Sequence, residues 1–177
     1  MMCDDCRDYA PREAKMLDLG CGSGIVTREF ASQFARDYIG VDIVDNRIFP
    51  INFKLINGQD LPFGNNEFDI VLISYVLHHA DDPARLLAES KRVLKPGGKI
   101  IIFEDLYEGF VGKMLCQVHG KSYGALFEHH GGTVIINFKN RRQWKTVFEA
   151  LGLKPVFEKR VSKKINPVHK RLYILQK

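Results

Sequence analysis

The residues of this chain that could do chemistry fall into a few short stretches. Asp18 precedes Gly20, Cys21, Gly22 and Gly24; Asp42, Asp60 and Glu104 are further carboxylates; Ser74, Tyr75, Tyr107 and Tyr123 carry hydroxyls; His78, His79, His129 and His130 come as two pairs. Alternating glycines let a backbone turn sharply and approach a ligand closely. Their spacing here is G-x-G-x-G, with Ile25 where a dinucleotide fingerprint has its third glycine, which counts against NAD and FAD. Asp18 would repel a pyrophosphate but attract an amino group or another positive charge. Asp42 lies 18 residues beyond Gly24, where doubly wound folds place the carboxylate that accepts from ribose hydroxyls, and Ile43 behind it is placed to pack on an adenine face. The chemistry implied is that of a nucleoside cofactor bearing positive charge and no phosphate.

These residues need a scaffold of alternating strands and helices. Residues 15–19 read as a buried strand and residues 25–35 as a helix, with strands at 38–42 and 53–57. Gly64, Asn65 and Asn66 mark a turn before an almost continuous apolar run at 68–74, expected of a central parallel strand covered on both faces. Asp82 and Pro83 open a helix with Leu86, Leu87, Ser90, Val93 and Leu94 inward. Pro96, Gly97 and Gly98 close it, and residues 100–103 form a fifth strand. Tyr107, Phe110, Val111, Met114, Leu115 and Val118 make an apolar stripe at helical spacing, which fits either core, a roof over a pocket or contact with a lipid surface. A helix over 138–151, turning Trp144, Val147, Phe148 and Leu151 inward, and strands at 155–161 and 171–175 complete the chain. Residues 1–14 read as a short, flexible N-terminus, and 15–177 as one domain.

The stretch from Leu17 to Gly24 resembles motif I of the class I S-adenosylmethionine-dependent methyltransferases. The D-x-P-F-like segment Asp60-Leu61-Pro62-Phe63, the segment Val76-Leu77-His78-His79 and the run from Val93 to Phe103 resemble further segments of the family in order and spacing. The branch is the small-molecule one that includes the quinone-biosynthesis (type 11) enzymes. This resemblance implies an α/β, Rossmann-like three-layer sandwich with a seven-stranded, mostly parallel sheet in the order 3-2-1-4-5-7-6, strand 7 antiparallel. It implies S-adenosylmethionine as cofactor and S-adenosylhomocysteine as product. Asp18, Gly20, Cys21, Gly22, Gly24, Asp42, Ile43 and Ser74 would bind it; Asp60 would take the adenine amine and the Leu61 N–H a ring nitrogen. Tyr75, His78, Glu104, Tyr107 and Tyr123 would line the acceptor pocket. The family usually covers its site with helices ahead of the first strand, so a second copy or a partner subunit is a candidate cover here.

Where the acceptor must lose a proton, a base is wanted. His129 and His130 are the candidates, with Tyr107 and Glu104 behind them. No metal is expected, because adjacent histidines point in different directions, and Cys3 and Cys6 have no second pair to complete a zinc site. The net charge of +5 conceals an asymmetry: residues 138–177 hold twelve Lys or Arg against Glu149 and Glu158. That excess suits either an anionic partner or the guarding of an exposed sheet edge, the latter preferred. The leading expectation is therefore methyl transfer to a small acceptor. An RNA methyltransferase is disfavoured, since Ser74-Tyr75-Val76-Leu77 stands where amino-methylating nucleic-acid enzymes carry Asn-Pro-Pro-Tyr. A non-catalytic cofactor-binding subunit is the third reading. No apolar run is long enough to span a membrane and no leader pattern is seen, so a cytoplasmic location is expected.

Overall fold

In a computed structural model the described residues are 4–58, 60–116, 137–162 and 168–177. Seven strands form one sheet in the order β3-β2-β1-β4-β5-β7-β6. They are β1 (Ala14–Leu19), β2 (Ala35–Asp42), β3 (Phe53–Leu55), β4 (Phe68–Ser74), β5 (Leu94–Tyr107), β6 (Lys154–Arg160) and β7 (Val168–Gln176). The first five are mutually parallel, while β7 runs antiparallel to both β5 and β6. The expected topology is the observed one.

The apolar runs become the centre of the sheet because they are covered twice. Alternate residues of β1, β4, β5 and β7 feed two cores: Leu17, Leu19, Val71, Ile73, Ile100, Ile102 and Tyr173 on one face, Met16, Ile70, Leu72, Ile101, Phe103 and Leu172 on the other. Helix α1 (Ile25–Phe34) covers the second face through Phe30, Ala31 and Phe34. Helix α2 (Pro83–Val93) covers the first; Asp82 caps it by accepting from the N–H groups of Ala84 and Arg85 at 3.0 Å each. Residues 109–116 form a third helical stretch, α3, and Arg141–Ala150 form α4. A capping box closes the start of α4, Asn140 and Gln143 each bonding the other's backbone N–H. Trp144 and Phe148 anchor it in the core, 1% exposed each.

Some boundaries differ from expectation for identifiable reasons. β5 runs on to Tyr107 because β7 pairs with it as far as Tyr107↔Val168, so Tyr107 ends a strand and does not start the helical stripe. Within α3, Phe110 (82% exposed), Val111, Met114 and Leu115 face outward. Residues 4–14, expected as a flexible lead-in, carry packed side chains: Cys6 and Ala10 are buried, Tyr9 meets Phe157 at 5.2 Å between ring centroids, and Asp5 accepts from Lys159 Nζ at 2.7 Å. Several basic side chains of the final third are tied down internally. Arg141 and Arg171 share Glu158, each at 2.6 Å, and Lys177 donates to Asn66 Oδ1 and to the Leu94 carbonyl at 2.7 Å.

Candidate functional site

The C-terminal ends of the parallel strands are where an open α/β sheet puts its ligand crevice. Here that edge gathers the turn after β1, the end of β2, the residues after β3, and the chain leaving β4 and β5. Gly20, Gly22 and Gly24 all take positive φ (76°, 49° and 77°). A side chain at Gly20 would also overlap the γ-methyls of Val76, so the glycine turn and the segment after β4 interlock. Gly40 answers to a different constraint: a Cβ there would come within 2.8 Å of Cys21 Cβ, Cys21 Sγ and Ile51 Cδ1. The turn is thus seated directly on β2.

That seating delivers Asp42. Its Oδ2 accepts from the Gly22 N–H at 2.8 Å and its Oδ1 from the Ile43 N–H at 2.7 Å, leaving carboxylate lone pairs for hydroxyls in the crevice. Ile43 beside it is 65% exposed, a large apolar side chain open to a flat ring. Asp18 is held between β1 and α1, 1% exposed, with Oδ2 accepting from Thr27 Oγ1 at 2.6 Å. Burial pushes its carboxyl up to about 7, against the lowering bond from Thr27 and with a further rise from the charge of Asp42. Its Oδ1 is buried without a partner among the described residues, the mark of a group awaiting a donor or a cation. Burial, with Asp18 and Asp42 behind it, pushes the Cys21 thiol up to about 12, which keeps it inert in the turn. Ser74 Oγ, at the end of β4, is likewise buried without a partner.

Tyr75 follows at φ 59°, an uncommon conformation for a large side chain and one that collects at functional sites. Burial, then the charges of Asp105 and Glu104, push its phenol up to about 12, and Lys170 Nζ lies 4.8 Å from its ring centroid. His78 and Glu104 meet through Nδ1 and Oε1. Tyr107 donates to Gln143 Oε1 at 3.1 Å and so is tied to α4. Tyr123, His129 and His130 lie outside the described residues.

The chain from 60 to 63 behaves differently from its expected role. Asp60, exposed, pairs with Arg85 at 2.6 Å. Leu61 donates its N–H to Glu89 Oε2 and accepts from Arg92 Nη2, both at 3.0 Å. Both backbone groups of Leu61 are therefore strapped to α2. Asn57 and Gly58, shortly after β3, are open instead: Ile56 N–H donates to the Asp42 carbonyl at 2.9 Å, Gly58 has φ 87° with open space around its Cα, and the Asn57 side chain has no partner among the described residues. The sequence reading assigned no role to this pair, because the Asp-Leu-Pro-Phe run three residues later was more distinctive.

The model of a methyltransferase domain family matches residues 17–102, the segment that contains the glycine turn, Asp42, Asn57 and the chain after β4. Over that segment the chain is similar to the class I S-adenosylmethionine-dependent methyltransferases. An uncharacterised protein of Methanocaldococcus jannaschii is 39% identical over 113 residues, covering 60% of this chain and 52% of its own. A demethylmenaquinone methyltransferase of Symbiobacterium thermophilum is 36% identical over 104 residues, covering 50% of this chain and 41% of its own. The chain thus spans about half the length of these curated relatives. Among solved structures, a complex of the Haloferax volcanii Trm112 methyltransferase activator with a methyltransferase superposes with a TM-score of 0.75 at 16% identity, covering 99% of this chain and 88% of that one; the likeness is one of fold.

The family's cofactor, S-adenosylmethionine, suits the residues present. It carries an amino group and a sulfonium for the orphan carboxylate of Asp18, ribose hydroxyls for Asp42 and an adenine for Ile43, and it brings no phosphate to the acidic turn.

Proposed function

We propose that this protein transfers a methyl group from S-adenosylmethionine to a small-molecule acceptor, and that Asp18, Gly20, Cys21, Gly22, Gly24, Asp42, Ile43 and Ser74 hold the donor. The observation that carries the reading is the joined pair of Gly22 and Asp42, set beside a buried carboxylate with an orphan oxygen. Asn57 and the Gly58 N–H, in place of Asp60 and Leu61, take the adenine edge. The donor supplies an already activated methyl, so the protein contributes chiefly by positioning, an effect worth up to about 7–11 kcal/mol. Tyr75, His78, Glu104 and Tyr107 line the acceptor side. An apolar or aromatic acceptor is favoured by the exposed α3 side chains at the crevice end of β5 and by the likeness to demethylmenaquinone methyltransferases. A cytoplasmic home belongs to the same proposal; among the described residues no helix is long and apolar enough to cross a membrane.

A partner subunit is the second reading. Its support is the fold likeness to a methyltransferase solved with an activator protein. Against an RNA substrate stands the internal ion pairing of Arg141 and Arg171 with Glu158 and of Lys159 with Asp5.

Calorimetric titration tests the proposal. S-adenosylmethionine and S-adenosylhomocysteine are expected to bind the wild type and NADH is not, while Asp42→Asn should weaken binding by about 10- to 100-fold, the worth of a hydrogen bond to a charged group. Equal affinity in Asn57→Ala and wild type would return the adenine to Asp60.

A further inference from the structure

His78 and Glu104 stand 26 residues apart in sequence and meet at the crevice edge, 6% and 1% exposed. Each is fixed by further contacts. The Asp105 N–H donates to Glu104 Oε1 at 2.8 Å, and the His78 ring stacks on Phe138 with centroids 4.7 Å apart and planes 12° from parallel. The His78 carbonyl accepts from the Asn137 N–H at 2.7 Å, and Asn137 Nδ2 in turn donates to the Ala80 carbonyl at 2.7 Å. His79 lies 4.1 Å away on the same short turn. Tyr75 and Tyr173 are close enough to Glu104 for its charge to help keep their phenols protonated.

An imidazole held at Nδ1 by a carboxylate is set in the tautomer whose Nε2 carries the lone pair, and no partner takes Nε2 among the described residues. The carboxylate also stabilises the imidazolium that forms when Nε2 takes a proton. The turn bearing this ring begins at Val76, the residue that interlocks with Gly20 of the donor turn.

We propose that His78 is the general base of the methyl transfer, with Glu104 as its positioning residue, and that the acceptor is accordingly a phenol, quinol or enol that must surrender a proton to react. The inference rests on the methyltransferase reading of the crevice. The acceptor's O–H bond breaks and its proton passes to Nε2. The electron pair left behind, on oxygen or delocalised onto a ring carbon, forms the bond to the methyl carbon as the carbon–sulfur bond breaks onto sulfur. The positive charge lost at sulfur is matched by the imidazolium, which lies against Glu104. A thioether or tertiary amine would have no use for this pair.

The test uses His78→Gln and Glu104→Gln, with S-adenosylhomocysteine calorimetry as the check that fold and donor site persist. With that product bound, 4-nitrophenol is titrated in at a pH where the free probe is half ionised, and its visible spectrum reports its state. The wild type is expected to hold it as the phenolate, about tenfold enriched over solution, and both variants to lose that enrichment while still binding the product. In turnover with S-adenosylmethionine, His78→Gln should slow transfer to 1,4-naphthohydroquinone by ~10²–10⁴-fold, the usual share of a general base, and transfer to the preformed nitrophenolate by far less. A wild type that holds the probe as neutral phenol, or equal slowing with both acceptors, overturns the proposal. Failure of the wild type to bind S-adenosylhomocysteine would defeat the donor reading instead.

Discussion

Asp18 shows how one buried side chain can couple binding to pH. With its carboxyl pushed up to about 7 by burial, the folded free protein holds a proton there that an arriving ammonium would expel. Binding of S-adenosylhomocysteine is expected to release close to one proton at pH 6 and almost none at pH 8, measurable by calorimetry in buffers of different ionisation enthalpy. The sign for stability is the reverse of an ordinary ion-paired carboxylate. Between 3.8 and about 7 the folded chain keeps a proton the unfolded chain has lost, so this group makes stability fall as pH rises through that window. Asp18→Asn should flatten the change in urea midpoint between pH 5 and 7.5. The neighbouring interlock gives a second outcome at this scale. Gly20→Ala should lose ~1–3 kcal/mol to overlap with Val76 and roughly 1–2 kcal/mol more to its positive φ. Adding Val76→Ala should recover only the first part, which denaturant melts of the two single variants and the double variant would show.

Among the elements, α4 depends on its cap and on what lies beneath it. Asn140→Ala removes half of the capping box and is expected to cost about 1 kcal/mol, a fall in Tm of roughly 2–4 °C for a chain of this size. Below it Glu158, its pKa lowered first by its bond with Arg141, clips the helix to the β6–β7 hairpin. A depressed carboxylate contributes stability above its unfolded pKa and loses it as pH falls. Glu158→Gln should thus narrow the stability gap between pH 7 and pH 3, with the opposite sign to Asp18→Asn. The elements were the most legible part of the sequence. The runs at β1 and β4 are apolar on both faces because both faces are covered, and Asp82-Pro83 announces α2 by its own chemistry. The end of β5 was not legible, since Glu104 and Asp105 look like loop residues until β7, more than 60 positions later, pairs with them. The meeting of His78 with Glu104 is non-local in the same way. Nor was it legible that both backbone groups of Leu61 are claimed by Glu89 and Arg92, a bond pattern no local motif encodes.

For the whole molecule, the first described residues brace the far edge of the sheet. Asp5 holds Lys159 and Tyr9 rests on Phe157, both in the edge strand β6, while Cys6 fills the core beneath. Nothing in a short polar stretch with one proline foretells this, because the partners lie some 150 residues away. Removing residues 1–9 is expected to lower Tm by several degrees, observable in a thermal melt. The contact between Gly20 and Val76 has a reach of its own. In the proposed crevice the donor and acceptor sides share a single steric gear, so a donor that settled the glycine turn would also set the position of the turn carrying His78. The reaction should therefore be ordered, donor first. Initial-rate patterns would show it, with S-adenosylhomocysteine competing against the donor and noncompetitive against the acceptor.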